Sequence, residues 1–292
     1  MSNTEVIVID EASFFSLAYW ISNETVNNEE ETLKLTNEDE FIKIVSLANQ
    51  FWLIGAFTQG IKTKQCWQYL SEVSQQYLDD VSHVYKLRTE SLVEEVSISV
   101  KCLNKTNIIP ILLKGAATLF NGVSSPNYIR YMSDIDILVK PLELDNALRN
   151  LVDRGYLLDE ENYDIDEFEH HHETPLKRAD SCCYIEMHRW HLKKSLLSLL
   201  TNDEVWGEAE NLRLSGGLLA KQLSPTHQIL MNIIHSELAD RGYFEKAINL
   251  FQLTALYQLL AHYQKAIDWT AVIEHFERVG AKDVLFARLY AI

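Results

Sequence analysis

Ser133-Asp134-Ile135-Asp136-Ile137-Leu138-Val139 is the stretch on which the reading turns. In a strand, residues two apart share a face. Asp134, Asp136 and Leu138 then lie on one side, and Ile135, Ile137 and Val139 pack beneath on the other. Two carboxylates on neighbouring same-face positions of an apolar strand repel each other. Burial raises their pKa values unless a cation sits between them. Hard divalent cations with oxygen ligands, Mg²⁺ above all, answer that need. Further along, Cys183-Tyr184-Ile185-Glu186-Met187-His188 has the same alternation, with Glu186 and His188 on one face. If the two strands are neighbours, Asp134, Asp136 and Glu186 converge. Three carboxylates around two metal ions form an arrangement that holds a triphosphate and stabilises departing pyrophosphate.

Ahead of the acidic strand, Ile108–Leu113 is a continuous apolar run suited to a buried strand, and it ends at Lys114-Gly115. A glycine there lets backbone approach a phosphate, and a helix that follows offers free N–H groups. Lys114 is placed to reach a β- or γ-phosphate, and Arg130 is a second candidate clamp. Around this centre the periodicity is helical. Thr36-Asn37 caps a predicted helix over Glu38–Thr58, and residues 66–104 give one long helical stretch or two. Pro141 opens another helix that stops at Gly155, Tyr156–Leu158 reads as a short strand, and Ser224-Pro225 starts a series of C-terminal helices. The expected organisation is a mainly helical region over 1–105, an α/β core over 106–190 and a helical region over 191–292. In class terms this is α+β, a small mixed sheet flanked by helices.

The chain is 47% hydrophobic and 23% charged, with only ten glycines and five prolines, which suits a helix-rich globular protein. No apolar run approaches the roughly 20 residues needed to span a bilayer. No basic n-region precedes an apolar stretch, so a cytoplasmic location without membrane attachment is expected. Cys66, Cys102, Cys182 and Cys183 lack CxxC spacing and read as reduced thiols. Residues 1–40 and 159–173 carry nets of −9 and −8 against −16 for the whole chain, so the remainder is close to neutral. Without a basic stripe to track a phosphate backbone, a long nucleic acid is not expected as a substrate. A nucleotide bound through metal is compatible with this balance.

Leu113-Lys114-Gly115-Ala116-Ala117, Arg130-Tyr131-Met132-Ser133-Asp134-Ile135-Asp136, Gly155-Tyr156 and Ile185-Glu186-Met187-His188 together resemble a family of bacterial proteins. Its members are described as uncharacterised nucleotidyltransferases of the polymerase-β-type superfamily. Leu223-Ser224-Pro225-Thr226-His227 and Ile267-Asp268-Trp269 extend the resemblance over roughly residues 40–292. The resemblance implies a nucleotidyltransferase core with Asp134, Asp136 and Glu186 as metal ligands and a nucleoside triphosphate as donor. The chain departs from the superfamily pattern in two places. Ala116 follows Gly115 where Gly or Ser is common, and 18 residues (116–133) separate Gly115 from Asp134.

The function expected from these features is Mg²⁺-dependent transfer of a nucleotidyl group to a small-molecule or protein/peptide acceptor, with pyrophosphate release. Asp134 and Asp136 would hold two ions and Glu186 one of them, with Lys114, Gly115, Arg130 and His188 on the nucleotide side. The altered turn motivates a second expectation: a catalytically reduced binding or regulatory protein, in a toxin–antitoxin or biosynthetic partnership. A glycosyltransferase using Asp-x-Asp would need a larger α/β domain ahead of the motif, where the pattern is helical. His170-His171-His172, with His188 and His191, invites a zinc reading, but adjacent histidines in extended chain point opposite ways and rarely chelate one ion.

Overall fold

The structure is a computed structural model and describes residues 11–22, 28–123, 131–159 and 173–292. Arg130, His170, His171 and His172 lie outside the described residues, as does most of the acidic stretch 159–173. The chain forms two compact units, one drawn from Met1–Leu87 and Pro126–Tyr131, the other from Arg88–Ser125 and Met132–Ile292.

The first unit is helical: α1 (Glu11–Ile21), α2 (Glu29–Thr36), α3 (Glu38–Gln50), α4 (Ile54–Thr63) and the start of α5 (Glu72–Asn104). Asn28 and Asn37 cap α2 and α3, their side chains accepting from Glu30 N and Glu31 N, and from Glu40 N. Phe41, Ile44, Val45 and Ala48 bury one face of α3, as their spacing predicts. The helix expected through Thr58 breaks instead at Phe51-Trp52-Leu53. Trp52 takes a left-handed conformation (φ 57°), and α4 restarts at Ile54. Trp52 stacks on Tyr131 with ring centroids 4.0 Å apart. Gly60 lets α4 meet α1 backbone to backbone: a Cβ there would lie 1.6 Å from the Trp20 carbonyl oxygen.

The second unit is built on a mixed sheet of β1 (Ile111–Leu112), β2 (Asp134–Leu138), β3 (Leu157–Leu158), β4 (Leu176–Lys177), β5 (Tyr184–His188), β6 (Glu210–Arg213) and β7 (Leu219–Gln222). The strand order is β3-β4-β5-β2-β1-β7-β6. β2 runs parallel to β5 and antiparallel to β1, which pairs parallel with β7. A parallel pair needs a crossover, and α7 (Leu144–Val152), β3 and β4 lie between β2 and β5 in the chain. Ile135, Ile137, Ile185 and Met187 bury one face of the sheet together with Leu92, Val96, Val100 and Leu103 of α5. Ile111 and Leu138, on the opposite face, join a second core with α9 (Pro225–Ile234), α11 (Leu250–Tyr263), α12 (Trp269–Arg278) and α13 (Lys282–Tyr290).

A mixed sheet with helices on both faces agrees with the expected α+β class. One element differs. The β6–β7 hairpin falls in the stretch expected to be helical, between α8 (Asn202–Glu208) and α9. Ser215-Gly216-Gly217 turns the chain, with both glycines at positive φ (71° and 73°), which few other residues tolerate. α10 (Gly242–Glu245) is a short turn ahead of α11.

Candidate active site

β2 and β5 are five-residue strands paired in register, with Asp134 opposite Tyr184, Asp136 opposite Glu186 and Leu138 opposite His188. The register follows from burial. A one-residue slip would turn Ile135 and Ile137, both fully buried, toward the acidic face. Asp136 and Glu186 are thereby set side by side, with His188 one step further on the same face.

Two groups meet at Asp136. His188 Nε2 lies 2.9 Å from Asp136 Oδ1 and 3.7 Å from Glu186 Oε2. Lys114 Nζ donates to the same Oδ1 at 2.8 Å. Asp136 is 3% exposed and His188 is completely buried, whereas Asp134 and Glu186 are half-buried. Lys114 opens α6 (Lys114–Thr118) in a left-handed conformation (φ 44°), which costs a non-glycine residue about 1 kcal/mol or more. The turn is held from β2, since Leu113 N donates to Asp136 O at 3.1 Å. Gly115 is buried, and a Cβ there would come 2.9 Å from the Met132 sulfur. The space freed by glycine is therefore filled by Met132.

Position determines the charge state of each group. Burial alone would raise the Asp136 pKa, but Lys114 and His188 outweigh it and hold the carboxyl well below the usual carboxylate range. Glu186 is less compensated: Lys114 lowers it, but burial first, then the charges of Asp136 and Asp134, push it up to about 7. Asp134 is also raised, by burial and by Asp136. Burial would lower the Lys114 ammonium, yet Asp136 chiefly, with Glu186 and Asp134, raises it. One site thus holds an ionised carboxylate, a fixed ammonium and a carboxyl that exchanges its proton near neutrality.

The donor set suits a divalent cation. Asp136, Glu186 and His188 each offer one ligand atom, and these atoms lie within 4.8 Å of one another. A cation with ligands at about 2.1 Å separates neighbouring ligands by about 3 Å and opposite ones by about 4 Å, a spacing compatible with this trio. Asp134 is outside that trio, although it shares the face and its charge acts on Lys114 and Glu186.

Among the residues singled out from sequence, the structure gathers Lys114, Asp136, Glu186 and His188, sets Asp134 beside them, and packs Gly115 against Met132. The direct Lys114–Asp136 pair was not foreseen, because the two residues stand 22 positions apart and no local pattern links them. Arg88 was also missed. From α5 its guanidinium donates to Met132 O through Nε (3.1 Å) and Nη2 (2.7 Å), anchoring the chain just before β2. A single arginine on a long polar helix carries no mark of that task.

Comparison with curated proteins finds no match for the chain. A family model described as "Uncharacterised nucleotidyltransferase" matches residues 37–292, from the cap of α3 through the last helix. That span contains the sheet, both cores and every residue of the site, and the chain belongs to this nucleotidyltransferase family.

Proposed function

We propose that the protein transfers a nucleotidyl group from a nucleoside triphosphate to a small-molecule or protein/peptide acceptor, releasing pyrophosphate, with a divalent cation as cofactor. The observation that carries this reading is the parallel, in-register pairing of β2 and β5, which sets Asp136 against Glu186. Asp136 and Glu186 would hold a cation. Asp134, built into the same face, would complete an oxygen-ligated position for a second ion, the one best suited to Mg²⁺. Bound there, the cation supplies positive charge that stabilises the triphosphate and the departing pyrophosphate.

The chain's own groups take the remaining tasks. Lys114 exchanges its contact with Asp136 for a phosphate oxygen of the donor, a short swing for a flexible side chain. Glu186 accepts the acceptor's proton at a carboxylate oxygen. Buried His188 holds Asp136 in place against β5. Arg130 is a further candidate for the phosphates from the segment before β2. The near-neutral charge balance of the chain outside the two acidic stretches favours a small or peptidic acceptor over a long nucleic acid.

The test is pyrophosphate release from each of the four ribonucleoside triphosphates, with cation–nucleotide binding followed by calorimetry. Release that disappears in Asp136→Asn and in Glu186→Gln supports the reading. Undiminished cation–nucleotide binding by a protein carrying both Asp134→Asn and Asp136→Asn overturns it. One observation favours a second reading, a regulatory or partner-binding protein on the same fold: Lys114 and His188 already engage Asp136 internally. No turnover with any nucleotide, together with a tight protein partner, would select that alternative.

A further inference from the structure

His188 Nε2 reaches toward two carboxylates at once, 2.9 Å from Asp136 Oδ1 and 3.7 Å from Glu186 Oε2. A histidine whose task is only to prop one aspartate needs a single partner. This one lies close to an oxygen of each acid, with no exposed surface. The 2.9 Å spacing also matches neighbouring ligands on one six-coordinate ion at about 2.1 Å. With its hydrogen on Nδ1, the imidazole presents a lone pair from Nε2 to the same point. The donor set is therefore one nitrogen and two carboxylate oxygens, whereas carboxylates alone would suit Mg²⁺. Mg²⁺ is hard, loses water reluctantly and favours oxygen. Imidazole shifts the preference toward first-row transition cations.

We infer that His188 is a direct metal ligand, and that Asp136, Glu186 and His188 form a mixed nitrogen–oxygen centre that selects a first-row transition cation over Mg²⁺. The inference rests on the cation-dependent reading above and adds the identity of the ion and its third ligand. Asp134, outside the trio and contributing oxygen only, keeps the character of a Mg²⁺ position.

The experiment uses Mn²⁺ as the probe, on the full chain without nucleotide. Pulsed electron paramagnetic resonance of bound Mn²⁺ reports ligand nitrogen directly, and growth on ¹⁵N-histidine changes that signal without altering the protein. The expected result is a histidine nitrogen coupling that is isotope-sensitive in the wild type and lost in His188→Asp and His188→Gln. Calorimetry should show Mn²⁺ binding at least about tenfold tighter than Mg²⁺, with that preference reduced about tenfold in His188→Asp. Mn²⁺ binding that needs Asp136 but shows no histidine nitrogen coupling overturns the inference and leaves the cation-dependent reading standing. Absence of any Asp136-dependent Mn²⁺ binding removes both. Because loss of the coupling is read in two different variants and its isotope sensitivity in the unaltered protein, misfolding of one variant leaves the test standing.

Discussion

Replacing Glu186 by glutamine should change how stability depends on pH, with the opposite sign to an ordinary surface carboxylate. Burial, Asp136 and Asp134 raise the Glu186 pKa to about 7 in the folded protein, from 4.5 for an unperturbed glutamate. A raised carboxyl binds its proton more tightly in the native state than in the unfolded one. Its contribution is fully present below about pH 4.5 and is lost as pH rises through 7. Between about pH 5.5 and pH 8 this one group removes about 2 kcal/mol from the metal-free wild type, at 1.36 kcal/mol per unit. Glutamine cannot ionise, so Glu186→Gln should gain about 2 kcal/mol relative to wild type across that window. The assay is urea unfolding of both proteins in a chelator at several pH values. A saturating divalent cation should close the gap, because an ion between the carboxylates favours the charged form that burial opposes. Parallel stability profiles in chelator would refute the convergence of Glu186 with Asp136 and Asp134.

Asp136→Asn keeps the shape of the site but leaves the Lys114 ammonium beside a neutral amide. Because the Lys114 side chain keeps 26% of its exposure, the cost should be about 1–2 kcal/mol in chelator, measured by the same unfolding assay. Lys114→Met should act in two directions. Nucleotide affinity should fall about tenfold or more, while cation affinity without nucleotide rises as Asp136 loses its internal competitor; calorimetry reads both. Gly60→Ala should cost about 3 kcal/mol in the N-terminal helical unit, because the added carbon meets Trp20 backbone and not a movable side chain; thermal melting checks it.

The acidic strand was legible because alternation needs only local information. Ile135 and Ile137 on one side and Asp134 and Asp136 on the other fix its faces, and Glu186 and His188 obey the same rule in β5. The pairing of those strands was not legible, since no local pattern in β2 specifies β5 as its neighbour. Trp52 illustrates a tertiary override. Its apolar neighbours fit a continued helix, yet the chain turns there and the indole stacks on Tyr131, far away in sequence. The β6–β7 hairpin had a readable signal in Ser215-Gly216-Gly217. Its four-residue strands are too short for their alternation to stand out against the helical pattern on either side. The Lys114–Asp136 contact depends on a left-handed residue at the end of β1, a conformation that a lysine does not advertise.

The parallel pairing in the sheet bears on synthesis. The donor atoms of His188 and Asp136 lie 52 residues apart in the chain, and β1 reaches across to β7, where Ile111 pairs with Lys221. Such contacts close large loops and form late compared with local helices. A nascent chain that has delivered Asp134 and Asp136 holds two repelling carboxylates with neither Glu186 nor His188 yet available. Lys114, made earlier, is the one gathered site residue already present to neutralise them.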